Sequence, residues 1–556
     1  MLDNLVLGFS TALSLENILW CFVGVFMGTV IGVLPGLGST TGVAVLMPLT
    51  LGLEPVTGLI MLAGIYYGSQ YGGTITSVLI STPGEAATVV TTLDGYQMAR
   101  QGRAGAALAI SAIGSFVAAI ISLALLVTLA PPFAAFALDF GPPEMLAVMV
   151  LGLATIISFA GDNRRLGLLM ALVGLLIATV GVDVGSGTSR FTFDSIYLLS
   201  GIPFVEVMIG LFAVGEVLNQ IREGAAAPIR AGFRELMIKP ADLKRSGGPI
   251  LRGSFLGFLF GILPGAGSTL ASFMAYGIER RVSKRGSEFG TGAIEGVAAP
   301  EAANNAAANA NFVPTLTLGI PGGATTAVLL GAFMIYGIDP GPLLFEQQPA
   351  LVWGLLASFF IGNLILLVLN LPLAPVFAQM LRVPYGYMYP LILLTSLVGA
   401  YSIGNSMYSV WVVVIFGIIG YFMKRLDLPM APLVLGVVLG PLFEKALVQT
   451  SAIGDGNVGI VFTRPLALVV LAIAALQIVA PTLLAHILRR RRTRDGGPAG
   501  PSAAGPTAGD PDAPRPEFPA VAGNTATGGD TAAPGATTGP RTAADTSTSE
   551  ETRGRP

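Results

Sequence analysis

Gly28-Thr29-Val30-Ile31-Gly32-Val33-Leu34-Pro35-Gly36-Leu37-Gly38-Ser39-Thr40 returns later in the chain as Gly257-Phe258-Leu259-Phe260-Gly261-Ile262-Leu263-Pro264-Gly265-Ala266-Gly267-Ser268-Thr269. Both copies read GxxxGxxPGxGST. Their two prolines stand apart by nearly half of the apolar part of the chain, which marks an internal duplication. Of the 556 residues, 53% are hydrophobic and 11% charged, against about 25% charged in soluble domains. Apolar runs recur from residue 17 to 488. The chain therefore reads as an all-α polytopic membrane protein with about 11–12 membrane segments, each needing about 20 apolar residues.

The placement of Lys and Arg orients such a chain. No basic residue precedes Arg100, and Asp3, Glu16 and Glu54 flank the first apolar stretches. Basic residues then gather at Arg100/Arg103, Arg164/Arg165, Arg222 to Arg252, Arg280 to Arg285, Arg382, Lys424/Arg425 and Arg489 to Arg494. With these in the cytoplasm, the N-terminus lies outside and the C-terminus inside. The arms on either side of each Pro-Gly-x-Gly are too short to be two full spans. Residues 19–35 with 39–52 form a re-entrant hairpin from the outer side, and 250–263 with 267–278 form one from the inner side. Ser115-Phe116 and Pro132 also match Ser358-Phe359 and Pro375. Two inverted-topology repeats with broken helices, a plan of secondary transporters, are the economical reading. It divides the chain into a first repeat at 1–221, a cytoplasmic connector at 222–249, a second repeat at 250–445, an extra span at 446–488 and a tail at 489–556. That tail is rich in Gly, Pro, Ala and Thr and is expected to be disordered.

Backbone groups freed by a broken helix cannot face lipid, so the breaks imply burial in protein or against a cavity. The GxxxG portions, Gly28/Gly32 and Gly257/Gly261, read as helix packing. Gly36, Gly38, Ser39 and Thr40, with Gly265, Gly267, Ser268 and Thr269, read instead as anion-binding starts of half-helices. A second pair of breaks offers Pro83 and Gly84 in the first half, and Gly322 and Thr325 in the second. If all four tips converge, the site suits a ligand with several carboxylates. Asn304 and Asn305, on an Ala-rich helix, are expected to line the pathway. Glu301, Glu295 and Asp94 are the candidates for holding a coupling cation or proton.

Other chemistries find little support. Cys21 and His486 are the only cysteine and histidine, so a disulfide within the chain and a Cys/His metal cluster are excluded, and no metal or organic cofactor is expected. The serines lack a His/Asp constellation, which disfavours an enzyme. No GxxxxGK[ST] is present, so ATP would need another chain. An anion channel, or an intramembrane structural subunit without its own coupling ion, is the alternative to a carrier. No nucleic-acid partner is expected.

Several blocks together resemble the large membrane subunit of the bacterial tripartite tricarboxylate transporters. They are the two GxxxGxxPGxGST copies, Tyr71-Gly72-Gly73 through Thr82-Pro83-Gly84, Val89-Val90-Thr91-Thr92-Leu93-Asp94-Gly95-Tyr96 with Ala99-Arg100-Gln101-Gly102, and Glu295-Gly296-Val297-Ala298-Ala299-Pro300-Glu301-Ala302-Ala303-Asn304-Asn305-Ala306. The resemblance covers residues 5 to 485. It implies a permease of the inner membrane that works with a small membrane subunit and a periplasmic solute-binding protein. Uptake of a tricarboxylate or related carboxylate would be driven by an ion gradient, of Na+ or H+. The chain departs from the pattern at Asn309-Ala310-Asn311-Phe312, where more glycine and smaller residues are expected.

Overall fold

The computed structural model describes residues 1–34, 37–159, 164–183, 186–220, 238–264, 267–380 and 385–477. Pro35, Gly36, Gly265, residues 221–237 of the connector region, His486 and the 489–556 tail lie outside the described residues.

The first half runs α1 (Leu2–Ala12), α2 (Leu15–Gly32), α3 (Gly38–Leu46), α4 (Pro55–Ile80), α5 (Val89–Arg100), α6 (Ala104–Ala137), α7 (Pro142–Phe159) and α8 (Arg164–Ala178). A two-stranded ribbon follows, β1 (Gly181–Val182) antiparallel to β2 (Ser189–Arg190), a small departure from an all-α chain. The half closes with α9 (Phe204–Met208), a π-helical stretch at Ile209–Val214 and α10 (Gly215–Gln220). The second half runs α11 (Pro240–Gly261), α12 (Gly267–Val282), α13 (Glu295–Ala310), α14 (Phe312–Leu318), α15 (Ala324–Ile335), α16 (Leu344–Gln347), α17 (Pro349–Met380), α18 (Tyr385–Gly404), α19 (Met407–Arg425) and α20 (Met430–Ile453). A further apolar helix covers Pro465–Gln477.

Five described helices are long and apolar enough to cross a bilayer: α2, α6, the Pro349–Ala374 part of α17, α19 and α20. Several apolar helices of 10–17 residues accompany them. Large apolar side chains such as Val368, Leu391, Trp411 and Phe422 face outward, as lipid contact requires. The protein is a multi-pass membrane protein.

The succession of elements recurs between the halves. A glycine-lined helix (α2, α11) leads through a break into a half-helix (α3, α12) and a buried helical stretch (α4, α13–α14). A second break, another helix (α5, α15) and a long helix (α6, α17) follow. The halves interlock, because α6 packs on α13 and α17 packs on α4.

Small residues explain the tightest pairings. A Cβ at Gly24, Gly28 or Gly32 of α2 would run into the carbonyl oxygens of Met61, Ile65 and Ser69 on α4. The same holds on α11, where Gly253, Gly257 and Gly261 meet the carbonyls of Ala299, Ala303 and Ala307 on α13. Burying apolar area gains nothing extra between helices in lipid, so close backbone approach supplies the dispersion energy. The packing reading of GxxxG therefore stands in both copies. The elements also extend past their apolar runs, since α6 continues through Pro131 and Pro132 to Ala137. Neighbouring helices can support Pro inside a membrane helix.

Candidate functional site

The breaks after α2 and α11 both resume on a glycine in the left-handed region, Gly38 at φ +61° and Gly267 at φ +63°. The second breaks match as well. Ser81 ends α4 and Gly319 ends α14 in left-handed conformation, at φ +56° and +69°. In each, a threonine then caps the next helix. Glu85 N–H donates to Thr88 Oγ1 at 3.4 Å, and Gly323 N–H donates to Thr326 Oγ1 at 2.9 Å.

These four helix starts surround one cavity of about 380 Å³. Its lining includes Gly38, Ser39 and Thr40 from α3, Gly267, Ser268 and Thr269 from α12, Pro83, Gly84 and Glu85 from one break, and Gly323, Ala324 and Thr325 from the other. The halves touch here, with the Thr40 and Thr325 hydroxyls 2.9 Å apart. Positive helix ends and free N–H groups pointing at one space favour an anion. Ser268 Oγ is buried and has no protein partner, so it is free for a ligand.

Glu85, Tyr66, Asn311 and Phe212 also line the cavity, and the motif reading did not single them out. Ser39 Oγ donates to Glu85 Oε2 at 2.7 Å and accepts from Ser69 Oγ at 2.6 Å. The Asn311 amide nitrogen faces the Gly261 carbonyl at 2.9 Å while its oxygen accepts from the Tyr66 hydroxyl at 3.1 Å. The departure at Asn309–Phe312 thus falls at the site. Phe312 packs against Tyr66, Tyr67 and Phe359 just behind it. On the scaffold side, Thr41 Oγ1 donates to the Phe212 carbonyl at 3.0 Å, within the π-helical stretch. A π-bulge in a helix often marks a functional position. Glu216 lines the cavity too and holds Lys424 Nζ at 2.6 and 2.7 Å.

Other nominated residues lie elsewhere. Gly322 is a close-approach position, since a Cβ there would be 2.6 Å from Asn311 Cα. Asn305 Nδ2 donates to Ser115 Oγ at 2.7 Å, and Asn309 Nδ2 donates to Ser122 Oγ at 2.8 Å, which ties α13 to α6. Asn304 is fully buried and neither amide atom has a protein partner. Asp94 Oδ1 accepts from the N–H groups of Gly290, Gly292 and Ala293, each at 2.8 Å, and Oδ2 accepts from Tyr276 at 2.9 Å. It anchors the approach to α13. Glu295 is bound bidentately by Arg245, at 2.9 Å to each oxygen. Glu301 is 1% exposed and pairs with no basic side chain among the described residues. It accepts from Thr74 at 2.7 Å, from Ser111 at 3.0 Å and from Thr91.

A model of the tripartite tricarboxylate transporter TctA family matches residues 18–435. The chain belongs to that family. Two proteins of Agrobacterium vitis are similar to it. One, described as an uncharacterized 52.8 kDa protein in the TAR-I ttuC' 3' region, is 47% identical over 494 residues, 88% of this chain and 98% of that protein. The other, described as an uncharacterized protein in the TAR-II ttuC' 3' region, is 46% identical over 235 residues, 42% of this chain and 97% of that protein. No solved structure matches. The TctA match takes in both glycine motifs, every described residue of the cavity and Glu301. A transporter family and a helical membrane architecture point to a TctA-family transport component rather than an enzyme.

Proposed function

We propose that this chain is the permease for uptake of a tricarboxylate or related carboxylate across the bacterial cytoplasmic membrane, driven by a gradient of Na+ or H+. A periplasmic solute-binding protein delivers the anion and a small membrane subunit completes the complex. About 11–12 membrane segments, counting the shorter apolar helices beside those of about 20 residues, form two inverted-topology repeats with the N-terminus outside and the C-terminus in the cytoplasm. The matched order of elements and the matched left-handed residues at all four breaks support that plan.

The observation that carries the reading is the convergence of four helix starts on one cavity between the halves. Its 380 Å³ falls within the range of about 300–1,000 Å³ typical of small-molecule sites. Ser268 Oγ, the Thr269 and Thr325 hydroxyls and the N–H groups of the half-helix starts are donors for carboxylate oxygens. Glu85 opposes an anion while charged, so it must carry a proton or be screened when substrate enters. Glu301, buried without a basic partner, is the coupling residue; Glu295 and Asp94 are tied to structural partners.

Calorimetric titration of the purified chain with citrate, a dicarboxylate and a monocarboxylate tests the site. Ser268→Ala and Thr325→Val each remove a hydrogen bond to a charged group, about 1.5–3 kcal/mol, so affinity should fall about tenfold or more. Unchanged affinity in both variants would place the anion elsewhere.

A further inference from the structure

Behind Glu301, away from the anion cavity, lies a second cavity of about 10 Å³, roughly the smallest that holds one water-sized particle. Tyr71 and Thr74 of α4, Ser111 of α6 and Asn370 of α17 supply its polar lining, and all four are at most 5% exposed. Thr74 Oγ1 and Ser111 Oγ both donate to Glu301 Oε2, at 2.7 and 3.0 Å. Their protons are committed to the carboxylate, so what they offer the cavity is oxygen lone pairs. Asn370 Nδ2 donates within its own helix to the Leu366 carbonyl at 3.1 Å. That leaves Asn370 Oδ1, which has no protein partner, and the Tyr71 hydroxyl is likewise unpartnered.

We propose that this cavity binds one small monovalent cation of Na+ size, held by oxygens of Thr74, Ser111, Asn370 and Tyr71 with the Glu301 charge directly behind them. Three considerations select that ligand class. Hard cations of this kind take oxygen ligands, and a divalent ion asks for more carboxylates in contact than one. A buried carboxylate without a basic partner is costly unless its charge is balanced, and a monovalent cation balances it one for one. The ligands come from α4 and α6 of the first half and α17 of the second, with Glu301 on α13. Occupancy therefore ties together the helices that interlock the halves, and Thr74 lies on the same helix as Tyr66 of the anion cavity. The inference rests on the carrier reading for its purpose, but the site is testable by binding alone.

The test is thermal unfolding of the purified full chain while NaCl replaces choline chloride at constant ionic strength. A saturable, Na+-specific rise in Tm is expected. In Asn370→Ala and Ser111→Ala the concentration giving half of that rise should increase by about tenfold or more, as for loss of a supporting ligand. Thr74→Ser keeps the hydroxyl and should keep the response, whereas Glu301→Gln should lose it. The readout is the Na+-dependent increment, so a lower baseline Tm in a variant does not mimic the result. No Na+-specific rise in the wild type, or a rise that persists in Asn370→Ala, Ser111→Ala and Glu301→Gln alike, overturns the site and leaves a water there. Carboxylate uptake measured in parallel separates the two claims. Uptake without a Na+ response removes the cation site alone, and a Na+ response without uptake removes the carrier reading while the site stands.

Discussion

Gly38 and Gly267 start their half-helices at positive φ, yet a Cβ at Gly38 would meet only the Gly84 carbonyl at 3.7 Å and one at Gly267 nothing within 4 Å. Their requirement is conformational rather than steric. An L residue there costs about 1–2 kcal/mol, enough to lower anion affinity by about 5- to 30-fold if the helix start shifts to relieve it. Gly38→Ala and Gly267→Ala should therefore bind citrate more weakly in calorimetry while inserting and folding normally. Wild-type affinity in both would detach the left-handed starts from binding. Glu85→Gln retains an oxygen for the Ser39 hydroxyl but removes a charge from an anion cavity. Its citrate affinity should rise relative to wild type as pH increases, because the wild-type carboxylate ionises and repels the anion while the amide does not. Parallel pH profiles of affinity for the two proteins would deny Glu85 that role. Glu85 was legible in principle, since it directly follows Pro83-Gly84. Its pairing with Ser39 was not, because the two are brought together only by the packing of α3 on α4.

Among the elements, the glycine-lined pairs α2–α4 and α11–α13 set how closely the broken helices sit against their supports. Gly28→Leu or Gly257→Leu puts a branched side chain where even a Cβ meets backbone carbonyl, and overpacking of this kind costs about 1–3 kcal/mol or more. Fluorescence-detected size exclusion should show loss of the monodisperse peak for either, while Gly277→Ala, at an exposed position with open space, leaves it intact. An unaltered peak for Gly28→Leu would mean that the pairing is loose. These pairings were readable because GxxxG has one dominant meaning in an apolar helix. The long helices were also readable, α7 and α19 almost to the residue, since their ends are marked by Pro, Gly and charge. α1 was missed because Asp3, Asn4 and Ser10 dilute its apolar content. The end of α6 was missed because Pro131-Pro132 reads as a stop, while packing in the folded chain carries the helix through. The π-helical stretch at Ile209–Val214 has no local signature, and its contact with Thr41 depends on tertiary placement.

For the whole molecule, the duplicated motif foretold that breaks from both halves would meet, and the cavity shared by α3, α12 and the two later breaks is where they do. What the motif could not separate was tip from stalk. Asn304 and Asn305 are as polar as Asn311, but only Asn311 reaches the cavity, because it stands at the turn between α13 and α14. The central claim is that this cavity carries an anion across the membrane at the expense of an ion gradient. It is tested most directly in proteoliposomes containing the chain and its small membrane subunit, with labelled citrate and the solute-binding protein outside. Accumulation above the external concentration should appear only with an inward Na+ or H+ gradient and the binding protein present, and Ser268→Ala should reduce it. Citrate that merely equilibrates, at a rate indifferent to both the gradient and the binding protein, would contradict the carrier account and identify a channel.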